Sequence, residues 1–241
     1  MSTAELRKYY LKVTLVFYVV WVIVFVAEGF LAVTLPTRDL TSWIDRQIPV
    51  VPQFVWFYIL CYVFPFVPVA VTKNWHRFNI ALISVGLCTL IAFIGHVGIP
   101  VAFPRPQLGT GISDRVLRCI YENDFRPGAQ NLPSLHVAIA WIIYFACRRQ
   151  GLHRILEQAM MLTACLISMS TVLIKQHLVV DFVGGIFLGF TVWYLVDRFY
   201  ALHVAAEENP SAALRRMTKK CLPAFVSTSA ILIGVIGCRL L

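Results

Sequence analysis

The most informative shortage in this chain is charge. Only 14% of its 241 residues are charged, whereas 59% are apolar, and the mean hydropathy is +0.75. A soluble domain carries about 25% charged residues, so the composition argues against one. Apolar runs of about 20 residues recur with few charges inside them, which is the length a helix needs to cross a bilayer. The sequence therefore predicts an integral, multi-pass membrane protein, in a bacterial inner membrane or its equivalent.

Paired cysteines and long linkers are also absent from the sequence. The seven cysteines are an odd number and include no C-x-x-C pair, so they provide neither a disulfide framework nor a zinc site. No low-complexity stretch divides the chain, which favours a single integral-membrane domain over residues 1–241. No carboxylate cluster accompanies the polar motifs, and we expect neither a metal nor a cofactor.

Basic residues exceed acidic ones, and the formal net charge is +9. Most lysines and arginines flank the apolar runs, so we interpret them as topology signals near anionic headgroups, not as a nucleic-acid surface. Of the 21 lysines and arginines, 13 fall on the side of the N-terminus and 8 on the other. This bias predicts a cytoplasmic N-terminus. The polar motifs then face the periplasm, a lumen or the cell exterior.

The apolar runs predict six core transmembrane helices and a seventh near the C-terminus. They cover residues 10–34, 50–71, 78–103, 134–147, 155–175 and 177–200, followed by 222–238. The predicted fold class is therefore an all-α, polytopic membrane helix bundle. The longest connection, residues 104–133, is rich in proline and glycine, and we expect an ordered loop or short helices over the mouth of the bundle.

Polar residues occur where the apolar pattern predicts helix ends. His177 and Asp181 are four residues apart, which predicts one face of a helix, one turn apart. A carboxylate in that position accepts the imidazole N–H, fixes its tautomer and strengthens the other nitrogen as a nucleophile. The alternative is a structural polar pair between helices. Ionisable residues within membrane segments are nevertheless costly, and commonly mark function.

A second polar fragment, Pro133-Ser134-Leu135-His136, starts the fourth run. Serine is a favourable N-cap, and the free N–H groups at a helix start attract anions. Ser134 and the amides after it are therefore candidates to hold a phosphate that His136 also reaches. The simpler alternative is a helix cap followed by an interfacial histidine.

Two Arg-Pro pairs lie in the long connection. Arg105 follows the third run, and Arg126 lies eight residues before Ser134. A guanidinium holds phosphate oxygens in a bidentate fork, so both arginines are candidate phosphate ligands, with Arg105 ranked first. The alternative is a pair of loop arginines that meet lipid headgroups.

Together these residues resemble the type 2 phosphatidic acid phosphatase (PAP2) superfamily of membrane lipid phosphatases and phosphotransferases. The family pattern is Lys, six residues and Arg-Pro; then Pro-Ser-x-His; then Ser-Arg, five residues, His, three residues and Asp. The chain has the second motif in full and keeps His177 and Asp181 of the third, with Ser170 at the matching position. The resemblance covers about residues 49–190, and we assign the core to about 49–200.

Two cations of the family pattern are missing. Gly98 stands at the position of the first-motif lysine and Thr171 at that of the third-motif arginine, and Lys175 is a candidate replacement. A phosphomonoester carries nearly two negative charges near neutral pH, whereas a diester carries one, so fewer cations suit a diester. The stretch 170–177 is also similar to the branch containing inositol phosphorylceramide synthases and to the related sphingomyelin synthases, which move a phospho-headgroup between lipids.

The resemblance implies a mechanism. His177 attacks phosphorus to form a phosphohistidine, Asp181 orients it, and His136 protonates the leaving alkoxide before activating water or an alcohol. The residues implied to hold the phosphate oxygens are Arg105, Ser134, Lys175 and Arg126.

The implied function is a lipid phosphatase that acts at the extracytoplasmic face on a membrane lipid phosphate or phospholipid. Transfer of a phospho-headgroup between lipids is the alternative within the family. A non-catalytic membrane transporter is the alternative from another class, and it predicts a continuous polar stripe across the spans. The sequence indicates no nucleic-acid partner and makes no prediction about the oligomeric state.

Two further features bear on the bundle. Glu28 lies inside the first span, where it either binds a headgroup or, as the favoured interpretation, pairs with a loop cation. Gly185 and Gly189 form a G-x-x-x-G pattern, for which we favour close packing within the bundle over dimerisation.

Overall fold

The computed structural model describes residues 2–125, 130–204 and 206–220. The helices with defined bounds are α1 (Thr3–Ala32), α2 (Trp43–Gln47), α3 (Val55–Ile59), α4 (Val67–Val71), α5 (Trp75–Gly98), α6 (Ile112–Asn123), α7 (Leu135–Cys147), α8 (Arg154–Leu173) and α9 (Val179–His203). Within the described residues there is no β-strand, only an isolated bridge between Arg38 and Val101. The predicted all-α fold class is therefore confirmed.

Among the described residues, five helical segments are long and apolar enough to cross a membrane: α1, Pro52–Val71, α5, α8 and α9. The predicted fourth span is α7, which is shorter, with 13 residues. The predicted seventh span, 222–238, lies outside the described residues. The architecture is thus that of a polytopic helix bundle.

The second of these segments is not a regular α-helix. Within Pro52–Val71, α3 and α4 are joined by tighter helical turns that include Pro65. Proline has no backbone N–H and its ring clashes with the preceding turn, so the regular hydrogen-bond ladder is interrupted there. The segment stays helical because neighbouring groups form shorter-range bonds, such as Phe66 N–H to Val63 O at 3.1 Å.

Single side chains set the helix ends. The first helix begins at Thr3 rather than at residue 10, because Ser2 and Glu5 form a reciprocal capping box. The third span ends at Gly98 rather than at 103. The last of the six begins at Val179, two residues later than predicted. Hydropathy located the spans, but it does not register capping, and therefore misplaced their ends.

Helix α7 lies at the centre of the bundle, packed against α5, α8 and α9. It is apolar on nearly every face, as expected of a helix with protein all round it. A Cβ at Gly185 would come within 2.5 Å of Ser134 O, and one at Gly189 within 2.8 Å of Ala138 O. The glycine pair of α9 therefore allows close packing on α7 within the bundle, in agreement with the favoured interpretation.

The outward faces of the peripheral helices are apolar. In α1 these faces include the exposed residues Val16, Val19 and Ile23, and in α9 the exposed Phe187. Such surfaces suit hydrocarbon, which solvates them without the penalty that water would impose.

Several helix ends meet at one end of the bundle, opposite the N-terminus. The last turns of α1 and α5 carry Glu28 and His96, and the first turns of α7 and α9 carry His136 and Asp181. Helix α6 covers this end, with buried Leu117 packed in a cluster with residues of α3. The expectation of short helices over the mouth is confirmed for this part of the connection.

Candidate active site

His136 is positioned by the start of α7. Ser134 Oγ accepts the Val137 N–H at 3.5 Å, so the predicted N-cap is confirmed. The Ser134 N–H donates to Asp181 O at 3.0 Å and ties the start of α7 to the start of α9. Ser134 is fully buried and does not line the cavity described below, so it influences the site through the helix end that it caps.

His177 lies outside a helix, and the prediction that it shares a helical face with Asp181 is wrong. Helix α8 ends at Leu173, and Lys175 adopts a left-handed backbone with φ of 53°. The N–H groups of Gln176 and His177 then both donate to Thr171 O at 2.9 Å, which closes the end of α8. The chain therefore turns before α9 begins, and His177 sits in the turn.

Asp181 still faces the His177 ring, because it caps α9. Its Oδ2 atom accepts the Leu178 N–H at 2.8 Å and lies 3.6 Å from His177 Nδ1. The second distance is that of an ion pair and is too long for a hydrogen bond. Asp181 Oδ1 and His177 Nδ1 are both buried without a hydrogen-bond partner among the described residues. The carboxylate is thus fixed by the helix start and available to the imidazole.

The two predicted histidines are in contact. His136 Nδ1 lies 3.1 Å from His177 Nε2, and Tyr58 Oη lies 3.1 Å from His136 Nε2. One set of neutral tautomers fits all of these contacts: Tyr58 O–H donates to His136 Nε2, His136 Nδ1–H donates to His177 Nε2, and His177 Nδ1–H faces Asp181. In this arrangement His177 Nε2 carries the lone pair.

Arg105 lies beside the histidines, held by other protein groups. Its guanidinium donates to Lys175 O, to Asp124 Oδ2 at 2.5 Å and to Gln176 Oε1 at 2.7 Å. The guanidinium also stacks over the ring of Tyr121 at 4.4 Å. Its Nε–H is buried without a partner among the described residues. The arginine is therefore oriented before any ligand arrives and retains one unused donor.

Lys175 is not brought into the cavity. Its Nζ donates to Asp45 O at 2.6 Å, and burial lowers the pKa of this ammonium while the nearby Asp45 carboxylate opposes the shift. The left-handed turn directs the side chain to α2, away from the cavity. Lys175 is therefore not placed to replace the missing cations. Arg126, the other predicted loop cation, lies outside the described residues.

A cavity of about 520 Å³ connects the polar residues with the interior of the bundle. Its polar end is lined by Tyr58, His96, Arg105, Asp124, Gln130, Asn131, His136, Gln176 and His177. The rest of its wall is mostly apolar and aromatic, with Phe17, Trp21, Phe25 and Phe78 among the lining residues. Along α1 the lining extends from Phe25 to Thr14, which corresponds to about 16 Å at 1.5 Å per residue. An elongated apolar chain with a polar head fits this shape.

A family model described as the PAP2 superfamily matches residues 27–195, which is more than half of the chain. The chain belongs to the PAP2 superfamily. The match begins earlier than the predicted core and includes the end of α1. No curated protein and no solved structure matches this PAP2 chain. Membership supports phosphatase-type activity in general.

The two departures from the PAP2 pattern have different surroundings. A Cβ at Gly98 would meet no atom within 4 Å, so the missing lysine leaves open space at the end of α5. Thr171 is fully buried, and its hydroxyl donates to Ser168 O at 2.7 Å within α8. Among the described residues, no three His, Cys, Asp or Glu side chains are grouped to hold a metal ion in place of these cations.

Sequence reasoning missed two polar neighbours of the histidines in this PAP2 chain. Tyr58 belongs to an apolar span, where a tyrosine resembles any interfacial aromatic. Asp124 lies two residues before the singled-out Arg126, but only the fold brings it to Arg105. Burial raises the pKa of Asp124, with Arg105 opposing the shift. The position of Asp124, close in sequence to an Arg-Pro motif, was the one signal that could have identified it.

Proposed function

We propose that this PAP2 protein is an integral-membrane lipid phosphatase that cleaves a lipid phosphate ester through a phosphohistidine at His177. The observation that carries the proposal is the 3.1 Å contact between His136 Nδ1 and His177 Nε2 at the polar end of a deep apolar cavity. Two imidazoles there supply a nucleophile and a proton donor, and the apolar wall suits the lipid chain.

In the first step the His177 Nε2 lone pair attacks phosphorus, and the bond from phosphorus to the lipid oxygen breaks. The developing imidazolium of His177 is stabilised by Asp181 through Nδ1–H. With an anion bound, His136 takes a second proton from solvent at Nε2, and the Tyr58 oxygen accepts this Nε2–H. His136 then gives its Nδ1 proton to the leaving alkoxide, which departs as the lipid alcohol.

In the second step water attacks the phosphohistidine. Neutral His136 takes a proton from the water, the bond between nitrogen and phosphorus breaks, and inorganic phosphate leaves. Arg105 and the amide end of α7 stabilise the charge on the phosphoryl oxygens in both steps. Because the two ring nitrogens are in contact, the rings have to separate before a phosphoryl group fits between them.

A second candidate is the transfer of a phospho-headgroup to another lipid alcohol, and the charges in the cavity favour it. Arg105 is paired with Asp124, and Lys175 lies at Asp45 instead of in the cavity. A site with so little surplus positive charge suits a monoanionic phosphodiester better than a phosphomonoester. The chemistry at His177 is the same, but the second step uses an alcohol instead of water.

A transporter is less well supported. A conduction path needs polar groups along its length, whereas the polar residues of this cavity gather at the His136 end. The wall along α1 is mostly apolar and aromatic. Because 13 of the 21 lysines and arginines fall on the same side of the membrane as the N-terminus, we place the active site at the opposite, extracytoplasmic face.

The test is to trap the phosphoenzyme in purified full-length protein. With ³²P-labelled phosphatidic acid or isoprenyl phosphate, we expect an acid-labile, base-stable label on His177 and release of free phosphate. The label should vanish in His177→Ala and persist in His203→Ala, a histidine at the far end of α9. Movement of a labelled headgroup to a second lipid without phosphate release would favour transfer. Full turnover by His177→Ala would refute both reactions.

A further inference from the structure

A second buried acid–base pair lies beside the candidate site. The sequence favours a loop cation as the partner of Glu28, but the structure pairs it with His96 of α5. His96 Nδ1 lies 3.3 Å from Glu28 Oε1, and the two residues are only 1% and 6% exposed. Gln130 of the long connection donates to the other carboxylate oxygen and to Phe25 O.

The opposite nitrogen of His96 holds the segment before the Pro-Ser-x-His motif. His96 Nε2 lies 3.2 Å from Pro133 O. The neighbouring Gly95 leaves room for this contact, because a Cβ there would lie 2.8 Å from Pro133 Cδ. On the other side, a Cβ at Gly184 of α9 would lie 3.2 Å from Pro133 Cβ. Pro133 is thus held between two helices three residues before His136.

These contacts require His96 and Glu28 to hold one proton in addition to the hydrogen on His96 Nε2. A carbonyl oxygen only accepts, so His96 Nε2 must carry a hydrogen to bond with Pro133 O. In a neutral ring Nδ1 is then an acceptor, and it would face a second acceptor in an ionised Glu28. Neither His96 Nδ1 nor Glu28 Oε1 has a hydrogen-bond partner among the described residues, so their 3.3 Å contact is favourable only if one of the two residues carries this additional proton.

The surrounding hydrogen bonds favour the ionic arrangement. Gln130 donates to the Glu28 carboxylate, and Pro133 O accepts from the ring, so each of these bonds is strengthened when its partner is charged. Hydrogen bonds to charged groups are stronger than those between neutral groups. Such additional hydrogen bonds are what offset the cost of removing the two charges of a buried ion pair from water.

The positive end of the pair faces the cavity. His96 lines the same cavity as His136 and His177, whereas Glu28 does not contribute to its lining. His96 also lies at the end of α5 where the PAP2 pattern has its lysine and this chain has Gly98. Within the part of the chain that the structure describes, the other charged side chains lining the cavity are Arg105 and Asp124, which neutralise each other.

We propose that His96 is an imidazolium held by Glu28, which anchors Pro133 and supplies the positive charge at the end of α5 that the missing lysine no longer provides. This inference rests on the proposed function, because a cation on the cavity wall matters when a phosphate occupies the cavity. His96 is a positioning and electrostatic residue here. Its Nε2 bonds to Pro133 O and its Nδ1 faces Glu28, so it acts without bonding the substrate directly.

The charge state is tested without reference to activity. In full-length protein with ¹⁵N-labelled histidine rings, NMR should show both His96 nitrogens protonated near neutral pH. In Glu28→Gln, whose amide N–H can donate to Nδ1, only Nε2 should carry a hydrogen. A neutral His96 ring in the wild-type protein would overturn the proposal even if the phosphoenzyme forms. Failure to trap a phosphohistidine would refute the proposed function and leave this measurement valid.

Activity then tests the role of the charge. We expect Glu28→Gln to lower kcat/KM on a lipid phosphate about tenfold, less than the loss of a direct oxyanion donor, with thermal unfolding unchanged.

His96→Lys and His96→Gln both offer a donor to Pro133 O, but only lysine keeps the charge, so His96→Lys should retain more activity. Glu157→Gln, which changes a carboxylate in the first turn of α8 at the opposite end of the bundle, is the matched control. Equal activity of Glu28→Gln and wild type, or of the two His96 variants, would overturn the proposal.

Discussion

Asp181 has two partners at the start of α9, one in the backbone and one in a side chain. Its Oδ2 atom accepts the Leu178 N–H at 2.8 Å and lies 3.6 Å from His177 Nδ1. The first contact stabilises the helix end, and the second places a negative charge next to the imidazole. A single residue therefore combines a structural and an electrostatic role, and suitable substitutions separate them.

The variant Asp181→Asn should separate these roles. Its amide oxygen still accepts the Leu178 N–H, so we expect the free energy of unfolding to remain close to that of the wild type. The charge that stabilises the His177 imidazolium is lost, and kcat should fall by roughly 10²–10⁴, as for the carboxylate of a triad. Asp181→Ala should lose both activity and about 1 kcal/mol of helix-cap stability. Steady-state kinetics and thermal unfolding measure the two effects, and wild-type kcat in Asp181→Asn would contradict the electrostatic role.

The ion pair between Arg105 and Asp124 makes a second prediction. The Asp124 carboxylate lies 2.5 Å from the guanidinium and competes with a bound phosphate for it. Removing the negative charge with Asp124→Asn should lower the KM for an anionic lipid phosphate by roughly threefold to tenfold, because like charges no longer oppose binding.

The matched control for Asp124 is Glu122→Gln, which changes an exposed carboxylate in the last turn of α6, two residues before Asp124. It should leave KM unchanged at moderate salt, since its charge is screened by solvent. If Asp124→Asn instead raises KM, the carboxylate is needed to orient Arg105, and competition is the wrong description.

The sequence was a good guide to the spans and to the start of α7, for local reasons. A backbone exposed to lipid must satisfy its own hydrogen bonds, and a long apolar run does so by forming a helix. The cap at Ser134 depends on one side chain and the amides that follow it. Both features can be predicted from neighbouring residues.

The position of His177 could not be predicted in this way. It depends on a left-handed residue at Lys175, a conformation that glycine or asparagine usually signals and lysine does not. The same turn directs Lys175 to Asp45, which removes it from the cavity. Contacts such as Tyr58 with His136 join residues 78 positions apart, and no local pattern encodes them.

The contact between α7 and α9 yields a third prediction. In Gly185→Ala the new Cβ would lie 2.5 Å from Ser134 O. This oxygen belongs to the backbone, so it cannot move aside as a flexible side chain would. We expect the free energy of unfolding to fall by about 1–3 kcal/mol, as for other overpacked sites, with a loss of activity as the start of α7 shifts. Gly98→Ala is the control, because its Cβ would meet no atom within 4 Å. Detergent-denaturation curves should separate the two variants, and equal stability would contradict this packing.

The last prediction concerns acid and the support of the turn that carries His177. Asp45 of α2 accepts the Val179 N–H at 2.8 Å and bonds of 2.9 and 2.5 Å from the N–H and O–H of Ser42. Burial alone would raise the pKa of Asp45, but these hydrogen bonds and nearby Lys175 outweigh it and hold the pKa below its usual value. Because the folded-state pKa is lowered, this stabilisation is complete above the unfolded-state pKa of about 4 and is lost as the pH falls through the folded-state value.

The midpoint of thermal unfolding should therefore decrease below about pH 4 in the wild type, and less steeply in Asp45→Asn. Asp114→Asn, which removes a carboxylate in the first turn of α6 that accepts the Gly109 N–H, should keep the wild-type steepness. An identical acid response in Asp45→Asn and the wild type would show that Asp45 does not support the turn through its charge.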